Sequence, residues 1–445
     1  MAKIGLHQRV LVLMLTVGLA ISACSKKEQI LSGARMDIRD ANAQDAVEAT
    51  EQLAPVKVTQ ISTPPAQNYS QWTHKNGSTA HLVSHPALTA NLAKAWSQSI
   101  GAGNSKKNRL TSDPIVAAGR VYTLDANAGV RAFSLQGAPL WSRDLKPAWD
   151  KGSDTSGGGL AFGGGVLVAT TGFGEIISID PATGNILWRH RTNAAISSAP
   201  LVSDGLAIAV SLNNKAVALE LANGRIRWQI QSGGSSSGLS GAGTPAAIGD
   251  FVVIPFTSGE LVVANIKTGA RVWSAAVTGG RKGIARGFVG AISGDPVISG
   301  NTVYAANQAG RLISIDRKTG GRNWTVNEGA YGPVWAVGGS VFMVTDGFEL
   351  KRLDARTGNE VWAVSLPGYL KSGKRRREAH VHYGPVFAGN RLLVASSDGE
   401  IRSFNVSTGA ELGSVEITGG AASQPAIVNG ILYILSGNGQ IQAFK

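Results

Sequence analysis

A repeated unit, made of a turn and a tryptophan, constrains the fold of this 445-residue chain more than any other feature. In its clearest copy an alternating strand reaches Asp180, a turn follows to Thr183-Gly184, and Trp188 lies four residues further on. Further copies carry Trp273, Trp324 and Trp362 at the same point, a looser copy carries Trp228, and a copy whose turn is one residue shorter carries Trp141. Successive tryptophans lie about 40 to 50 residues apart, which is the period of a four-stranded propeller blade. The repeat therefore predicts an all-β fold, a β-propeller.

A proline marks the start of each repeat and gives the number of blades. The prolines are Pro114, Pro200, Pro245, Pro296, Pro333, Pro385 and Pro425, and Leu160 fills the one gap. The last repeat runs from Pro425 to Lys445, which leaves room for only three strands. Lys94 to Ser97, with Trp96, supplies the missing strand from the other end of the domain. We therefore predict eight four-stranded antiparallel blades, closed by N- and C-terminal strands so that no sheet edge is exposed at the closure.

The residue types of the repeat have structural reasons. Asp or Asn bonds backbone amides two residues on, and glycine takes the left-handed position that ends the turn. Each tryptophan is expected to wedge between neighbouring sheets, where it buries roughly 150–250 Å². A ligand cage of tryptophans is the alternative interpretation. One turn, Asn405 to Gly409, departs from the pattern because Gly413 stands where the tryptophan is expected.

The first residues of the chain are typical of an exported lipoprotein. Lys3 and Arg9 form a positive region, and residues 10–21 form an apolar run that is short for a membrane-spanning helix. Residues 1–23 are therefore predicted to be a signal peptide. Cys24 follows, in a segment that resembles the lipobox of bacterial lipoproteins, and Ser25 resembles the pattern that permits export to the outer membrane. An ordinary signal peptide with a coincidental cysteine is the alternative.

The remaining chain divides into a linker and the repeat domain. Residues 24–67 are polar and show no sustained apolar period, so they are predicted to be a flexible tether behind a lipidated Cys24. Residues 68–445 are assigned to the propeller. Because Cys24 is the only cysteine, the sequence offers no thiol pair for a disulfide and no cysteine cluster for a metal.

The positive charge of the chain, +13, has two explanations. It is typical of partners such as nucleic acid or anionic lipid, and equally of a host whose proteins are basic in general. Nucleic acid is excluded as a partner because the leader directs the chain out of the cytoplasm. The densest basic run, Lys371 to Arg377, is predicted to be an exposed loop that either docks on an anionic partner or is simply solvated. His380 and His382 have metal-ligand spacing, but no third ligand accompanies them, and no metal is predicted.

The Asp-x-x-Thr-Gly-x-x-x-Trp signature resembles the repeat of pyrroloquinoline-quinone-binding propellers, over about 370 residues of this chain. Together with the lipobox, it is similar to the propeller lipoproteins of the outer-membrane β-barrel assembly (BAM) complex. The segment Gln71 to Gly77, followed by His81, also resembles α-proteobacterial members of that family. The resemblance implies a scaffold anchored by lipid on the periplasmic face of the outer membrane, with no cofactor. It further implies binding to BamA and other BAM members, and contact with unfolded outer-membrane proteins.

The resemblance also places the BamA contact on two long loops, Gly233 to Gly243 and Gly279 to Asp295. The residues expected there are Leu239, Ser240, Gly241, Arg281, Ile284, Arg286, Phe288 and Ser293. The match departs from the family, because Ser240 stands at the family's arginine and Ala291 and Ser293 stand at its paired acidic residues. Solvated interblade loops are the alternative interpretation.

The main alternative function is that of a periplasmic quinoprotein dehydrogenase. Such an enzyme needs carboxylates that hold calcium, a catalytic aspartate and aromatics that face the quinone. Its soluble alcohol-oxidising members also carry an adjacent cysteine pair, which a chain with Cys24 alone does not supply. The aspartates of this chain lie mainly in the repeated turns. We therefore predict a protein that is not an enzyme.

Overall fold

The computed structural model describes residues 61–150, 156–233, 243–277, 279, 291–370 and 378–445. Within them, eight four-stranded antiparallel sheets succeed one another along the chain. The predicted all-β propeller with eight blades is therefore confirmed. The first strand of the chain, β1 (Lys94–Ser99), belongs to the last blade. None of the described segments forms a helix that is long and apolar enough to cross a membrane.

Blades 1 to 4 follow β1 in chain order. Blade 1 contains β2 (Ile115–Ala117), β3 (Arg120–Leu124), β4 (Gly129–Ser134) and β5 (Pro139–Asp144). Blade 2 contains β6 (Gly158–Gly163), β7 (Val166–Thr171), β8 (Glu175–Ile179) and β9 (Ile186–Arg191). Blade 3 contains β10 (Leu201–Ser203), β11 (Leu206–Ser211), β12 (Lys215–Glu220) and β13 (Ile226–Gln231). Blade 4 contains β14 (Ala246–Ile248), β15 (Phe251–Pro255), β16 (Glu260–Asn265) and β17 (Arg271–Ala276).

Blades 5 to 8 repeat the same order. Blade 5 contains β18 (Gly294–Ser299), β19 (Thr302–Asn307), β20 (Arg311–Asp316) and β21 (Arg322–Val326). Blade 6 contains β22 (Trp335–Val337), β23 (Ser340–Val344), β24 (Glu349–Asp354) and β25 (Glu360–Ser365). Blade 7 contains β26 (His382–Ala388), β27 (Arg391–Ser396), β28 (Glu400–Asn405) and β29 (Glu411–Glu416). Blade 8 contains β30 (Ala426–Val428), β31 (Ile431–Ser436) and β32 (Gln440–Phe444), and β1 is its outer strand.

The closure of the ring is the predicted one. Strand β1 pairs antiparallel with β32, and Trp96 lies opposite Ala443. The second strand of each blade is mostly buried on both faces, as in β11, where all six residues are buried. Both faces are apolar because each sheet lies between two others, so no blade can bury its own core alone.

The repeated turn works as its residue types predict. The Asp180 Oδ1 accepts hydrogen bonds from the N–H groups of Ala182 at 2.9 Å and Thr183 at 2.8 Å, and from the Thr183 hydroxyl at 3.0 Å. These bonds favour the carboxylate and lower the pKa of Asp180 below its ordinary value. Gly184 ends the turn with a φ of +74°, in the region that favours glycine.

The tryptophans join each blade to the next. The indole N–H of Trp141 in blade 1 donates to the Pro181 carbonyl in the turn of blade 2 at 3.1 Å. The other donors and acceptors are Trp96 to Leu135, Trp188 to Leu221, Trp228 to Ile266, Trp273 to Arg317 and Trp324 to Ala355. The ring of Trp362 packs against Gly409, in the corresponding turn of blade 7. The tryptophans therefore contribute to the packing between neighbouring blades.

The exception at Gly413 has a structural explanation. Each tryptophan of the outer strands meets the turn between the third and fourth strands of the next blade. In blade 8 these two strands are β32 and β1, which come from opposite ends of the described chain and are not joined by a turn. A tryptophan at position 413 would thus lack the glycine turn on which the other rings pack.

Candidate functional site

Residues 61–93, here called the plug, lie along the inner strands of the blades and close the axis of the propeller. Plug and blades belong to one compact unit. Trp72 pairs with Val116 of blade 1 through two backbone hydrogen bonds, of 2.6 and 3.0 Å, and its ring is buried. The plug includes residues 61–67, which the sequence analysis assigned to the linker: within it, Gln67 bonds the backbone of His85 and Ala87.

Three histidines fasten the plug to three different blades. The Nε2 of His74 accepts the N–H of Val202 in blade 3 at 3.0 Å. The Nδ1 of His81 lies 2.8 Å from the Pro296 carbonyl of blade 5, and the Nε2 of His85 accepts the N–H of Asn390 in blade 7 at 3.0 Å. All three side chains are buried. In His74 and His85, Nε2 accepts a backbone N–H and Nδ1 lies within hydrogen-bond distance of an oxygen, so each ring has one accepting and one donating nitrogen.

Burial has a large effect on the first two of these histidines. Burial, together with the smaller effect of the neighbouring His81, lowers the pKa of His74 to about 3, against the bond from Val202, which raises it. Burial likewise lowers the pKa of His81. Both rings are therefore held neutral in the folded protein at neutral pH.

Backbone hydrogen bonds extend the plug to further blades. The N–H groups that donate to plug carbonyls are those of Phe162, Ala247, Ile298, Gly389 and Asn429, at 2.7–3.0 Å. Together with Val116 and Val202 these bonds reach every blade except blade 6. There, Gly338 packs directly against the carbonyl of Ser62. The plug, whose sequence does not repeat, thus contacts every blade of the ring and connects the blades to one another.

An axial cavity of about 150 Å³ lies against the plug, at the starts of the inner strands. Lys75 of the plug reaches into it, with Nζ 2.8 Å from Asp113 Oδ2 of blade 1 and 3.8 Å from Asp295 Oδ2 of blade 5. Burial alone would lower the pKa of Lys75, but the two carboxylates outweigh burial and raise the pKa above its ordinary value. Lys75 is therefore a permanent cation between blades on opposite sides of the ring.

The residues that precede six of the seven blade prolines line the cavity. Those residues are Asp113, Ala199, Thr244, Asp295, Gly332 and Gln424. Neighbouring blades hold the two carboxylates in place: the Gln424 N–H donates to Asp113 Oδ1 at 2.8 Å, and the Thr244 N–H donates to Asp295 Oδ1 at 2.6 Å. The sequence analysis used the prolines to count blades and missed this ring. The signal was present, because a proline restricts the backbone of the residue that precedes it, although Gly384, before the cis Pro385, does not line the cavity.

A quinone cofactor, which the dehydrogenase alternative requires, does not fit this cavity. Pockets for ligands of that size are typically about 300–1,000 Å³, against about 150 Å³ here, and Lys75 occupies part of the axis. No group of three or more His, Cys, Asp or Glu side chains in the described ranges is arranged to hold a metal. The two carboxylates that line the cavity, Asp113 and Asp295, are already paired with Lys75 and bonded to backbone amides.

Most predicted partner-binding residues lie outside the described residues. These are Leu239, Ser240, Gly241, Arg281, Ile284, Arg286 and Phe288, and the same holds for Cys24 and the basic run 371–377. Ser293 is described: it is buried in the cavity wall, and its hydroxyl donates to the Ala330 carbonyl at 2.8 Å. Both predicted loops join the described chain at this wall, since Thr244 and Ser293 line the cavity.

One member of the histidine pair beyond the basic run, His382, is hydrogen-bonded within the fold. His382 bonds the Ser396 hydroxyl at 2.6 Å through Nδ1 and the Pro367 carbonyl at 2.9 Å through Nε2. Burial lowers the pKa of His382, which keeps the ring neutral. Since both ring nitrogens are engaged within blades 6 and 7, His382 is not free to bind a metal.

Comparison with known proteins identifies relatives over most of the chain. A family model described as outer membrane protein assembly factor BamB matches residues 126–364 and 346–445. A protein named outer membrane protein assembly factor BamB, from Shewanella oneidensis, is 23% identical over 356 residues, which is 78% of this chain and 87% of the relative.

Solved structures share the fold. The crystal structure of BamB from Moraxella catarrhalis superposes with a TM-score of 0.67 at 18% identity, covering 80% of this chain and all of that one (100%). A europium-containing methanol dehydrogenase superposes with a TM-score of 0.66 at 14% identity, covering 84% of this chain and 98% of the enzyme. At these identities the likeness concerns the propeller fold alone, and fold does not decide function.

Proposed function

Since the chain belongs to the family of the outer membrane protein assembly factor BamB, we propose that it is a non-catalytic scaffold of the BAM complex. In this role it binds the periplasmic domains of BamA and assists insertion of β-barrel proteins into the outer membrane. The family match over residues 126–445 is the observation that carries the proposal. The rigid ring supports it, because a platform must hold its surfaces in fixed positions.

Localisation follows from the lipobox. We propose that Cys24 is lipidated and holds the propeller on the periplasmic face of the outer membrane. The plug then has a clear role, since it is the part of the domain that follows the anchor and linker. Because the plug is bonded to most of the blades, a force on the lipid anchor is distributed over the whole ring and does not act on a single strand.

The two loops of residues 233–243 and 279–295 are the proposed BamA surface. Thr244, which follows the first loop, and Ser293, near the end of the second, both line the axial cavity, which supports a common surface for the two loops. Arg286, Phe288 and Leu239 offer the cationic, aromatic and aliphatic side chains that are typical of interface anchors.

Outer strands provide a surface for unfolded barrel proteins. They carry exposed aliphatic side chains, with Leu187 of β9 53% and Leu412 of β29 58% exposed. The outer strand of each blade also has one edge without a partner strand in its own sheet. An extended segment of a barrel substrate can pair with such an edge and cover the aliphatic side chain.

The test is affinity purification of the tagged lipoprotein from detergent-solubilised envelopes, followed by mass spectrometry. Recovery of BamA and its companion lipoproteins is expected. Arg286→Glu and Phe288→Glu should each reduce BamA recovery, whereas Leu412→Glu, on the outer strand of blade 7 and outside both loops, should leave it unchanged. Recovery of a different envelope complex, without BAM components, would overturn the proposal. Addition of quinone and calcium gives a direct test of the enzyme alternative, for which an absorbance change and dye-linked oxidation would be required.

A further inference from the structure

The axial cavity contains buried polar atoms that the protein itself leaves without a partner. These are the Ser198 hydroxyl, the Thr244 hydroxyl and the Gln424 Oε1, which find no hydrogen-bond partner within the described structure. Their residues are 4%, 1% and 5% exposed, and all three line the cavity. A buried polar group without a partner is costly, so three around one cavity indicate a polar occupant.

The charge of the cavity indicates the sign of that occupant. Among its lining residues, Asp113 and Asp295 carry two carboxylates, and Lys75 carries the one ammonium. The ammonium lies 2.8 Å from Asp113 but 3.8 Å from Asp295, so Asp295 is the less well neutralised of the two. Its Oδ1 accepts the Thr244 N–H, and its Oδ2 retains capacity for a further donor. A cation beside Asp295 would balance the buried negative charge.

The shape and remaining lining narrow the class of ligand. A cavity of about 150 Å³ is large enough for a molecule of roughly six non-hydrogen atoms. The Gln424 oxygen accepts a hydrogen bond, whereas the Ser198 and Thr244 hydroxyls can both donate and accept. Tyr331 and Tyr383 also line the cavity and offer aromatic surface to a cation.

We propose that the axial cavity is a binding site for a small hydroxylated ammonium cation, of about the size of ethanolamine. The ammonium group would bind between Asp295 and the Gln424 oxygen, and the hydroxyl would bond Ser198 or Thr244. The site does not depend on the proposed scaffold function, because the cavity is complete within this chain.

The experiment uses the full-length protein in detergent micelles and saturation-transfer NMR with ethanolamine as the probe. Ethylene glycol, in which a neutral hydroxyl replaces the ammonium, is the control ligand. Saturable binding of ethanolamine is expected, with a dissociation constant between about 0.05 and 5 mM for so small a ligand. Ethylene glycol should bind at least about tenfold more weakly, because it lacks the charge.

Two variants test whether ethanolamine binds in the axial cavity. Asp295→Asn should weaken ethanolamine binding by about tenfold or more, and Thr244→Val by about three- to tenfold. Thr123→Val is the matched control, because the Thr123 hydroxyl is also buried without a partner in the described structure but does not line the cavity. It should bind ethanolamine like the unmodified protein.

The outcomes separate this proposal from the scaffold function. Equal signals for ethanolamine and ethylene glycol in the unmodified protein would overturn the ammonium site. So would unchanged binding to folded Asp295→Asn and Thr244→Val variants. If Asp295→Asn does not fold, the comparison of ethanolamine binding by Thr244→Val and by Thr123→Val decides whether the ligand binds in the cavity. The recovery of BamA from envelopes is measured separately, so failure of one proposal leaves the other intact.

Discussion

Gly184 of blade 2 lies directly beneath the indole ring of Trp141 of blade 1: a Cβ at position 184 would stand 2.5 Å from the ring. The same relationship joins Trp188 to Gly224, Trp228 to Gly269, Trp273 to Gly320 and Trp324 to Gly358. The glycine therefore meets two requirements, the positive φ of its turn and the close approach of the neighbouring ring. The blade interfaces formed by Trp96, Trp141, Trp188, Trp228, Trp273 and Trp324 therefore have both a polar and a steric contact, whereas the interface formed by Trp362 has the steric contact with Gly409.

Substitution of Gly184 separates these two requirements. Gly184→Ala should destabilise the propeller by about 2–4 kcal/mol, because the methyl group meets both a left-handed backbone and the Trp141 ring. Gly205→Ala is the matched control: its φ is +72° against +74° for Gly184, yet its Cβ would meet nothing within 4 Å. It should cost only about 1 kcal/mol. Urea unfolding followed by tryptophan fluorescence measures both, and equal losses would show that the ring contact contributes nothing.

The indole hydrogen bond can be tested at two tryptophans of similar burial. Trp228 is 7% exposed and donates to the Ile266 carbonyl at 2.7 Å, whereas Trp362 is 8% exposed and its Nε1 finds no acceptor among the described residues. Both lose the same ring area on replacement by phenylalanine. Trp228→Phe should therefore be more destabilising than Trp362→Phe by about 1 kcal/mol. The comparison requires the unfolding midpoint and slope of each variant, and a larger loss at Trp362 would contradict the assigned bond.

The number of blades could be predicted from the sequence because its signals are local and periodic. The turn from Asp180 to Gly184 forms through bonds within five residues, and the tryptophan spacing is fixed by the blade that contains it. Even the closure was predictable, since Lys94 to Ser97 was the only strand left for the last blade.

The plug and the axial cavity were not predictable in the same way. The plug bonds residues that are far apart in sequence, such as the carbonyl of Tyr69 and the N–H of Asn429, and it has no repeating pattern. The carboxylates of Asp113 and Asp295 lie 182 positions apart in the numbering and meet only because two blades face the same axis. When single residues that are far apart in the chain come together in the fold, they leave no periodic pattern in the sequence from which the contact could be predicted. The proposed BamA loops depend on the family resemblance for the same reason.

Lys75 is expected to hold the plug against the blades. Lys75→Met removes the cation from between Asp113 and Asp295 and leaves two buried carboxylates without a counter-charge. The loss of stability should be about 3–5 kcal/mol. A double variant, Lys75→Met with Asp113→Asn, should recover part of that loss, since the amide keeps a polar group at position 113 without its charge. Thermal unfolding of the unmodified protein, the single variant and the double variant measures these differences in stability. A double variant less stable than Lys75→Met would contradict the charge-balance explanation.

The buried histidines of the plug predict the acid sensitivity of the fold. The pKa of His74 is about 3 in the folded chain, against an ordinary value of 6.5, chiefly because of burial. As the pH falls below 6.5, the unfolded chain takes up a proton that folded His74 cannot accept. The stability that is present above pH 6.5 is therefore lost progressively down to about pH 3. At pH 5 the loss from His74 should be about 2 kcal/mol.

His74→Gln tests this origin of the acid sensitivity. The glutamine oxygen can accept the Val202 N–H in place of Nε2 but does not titrate, so the variant should lose less stability between pH 7 and pH 5, by about 2 kcal/mol. Part of the pH dependence should remain, because burial also lowers the pKa of His81, which acts in the same direction. Urea unfolding at both pH values, for the variant and the unmodified protein, gives the difference directly. Parallel losses in the two proteins would mean that folded His74 is able to bind a proton, and that the plug is open to water at position 74.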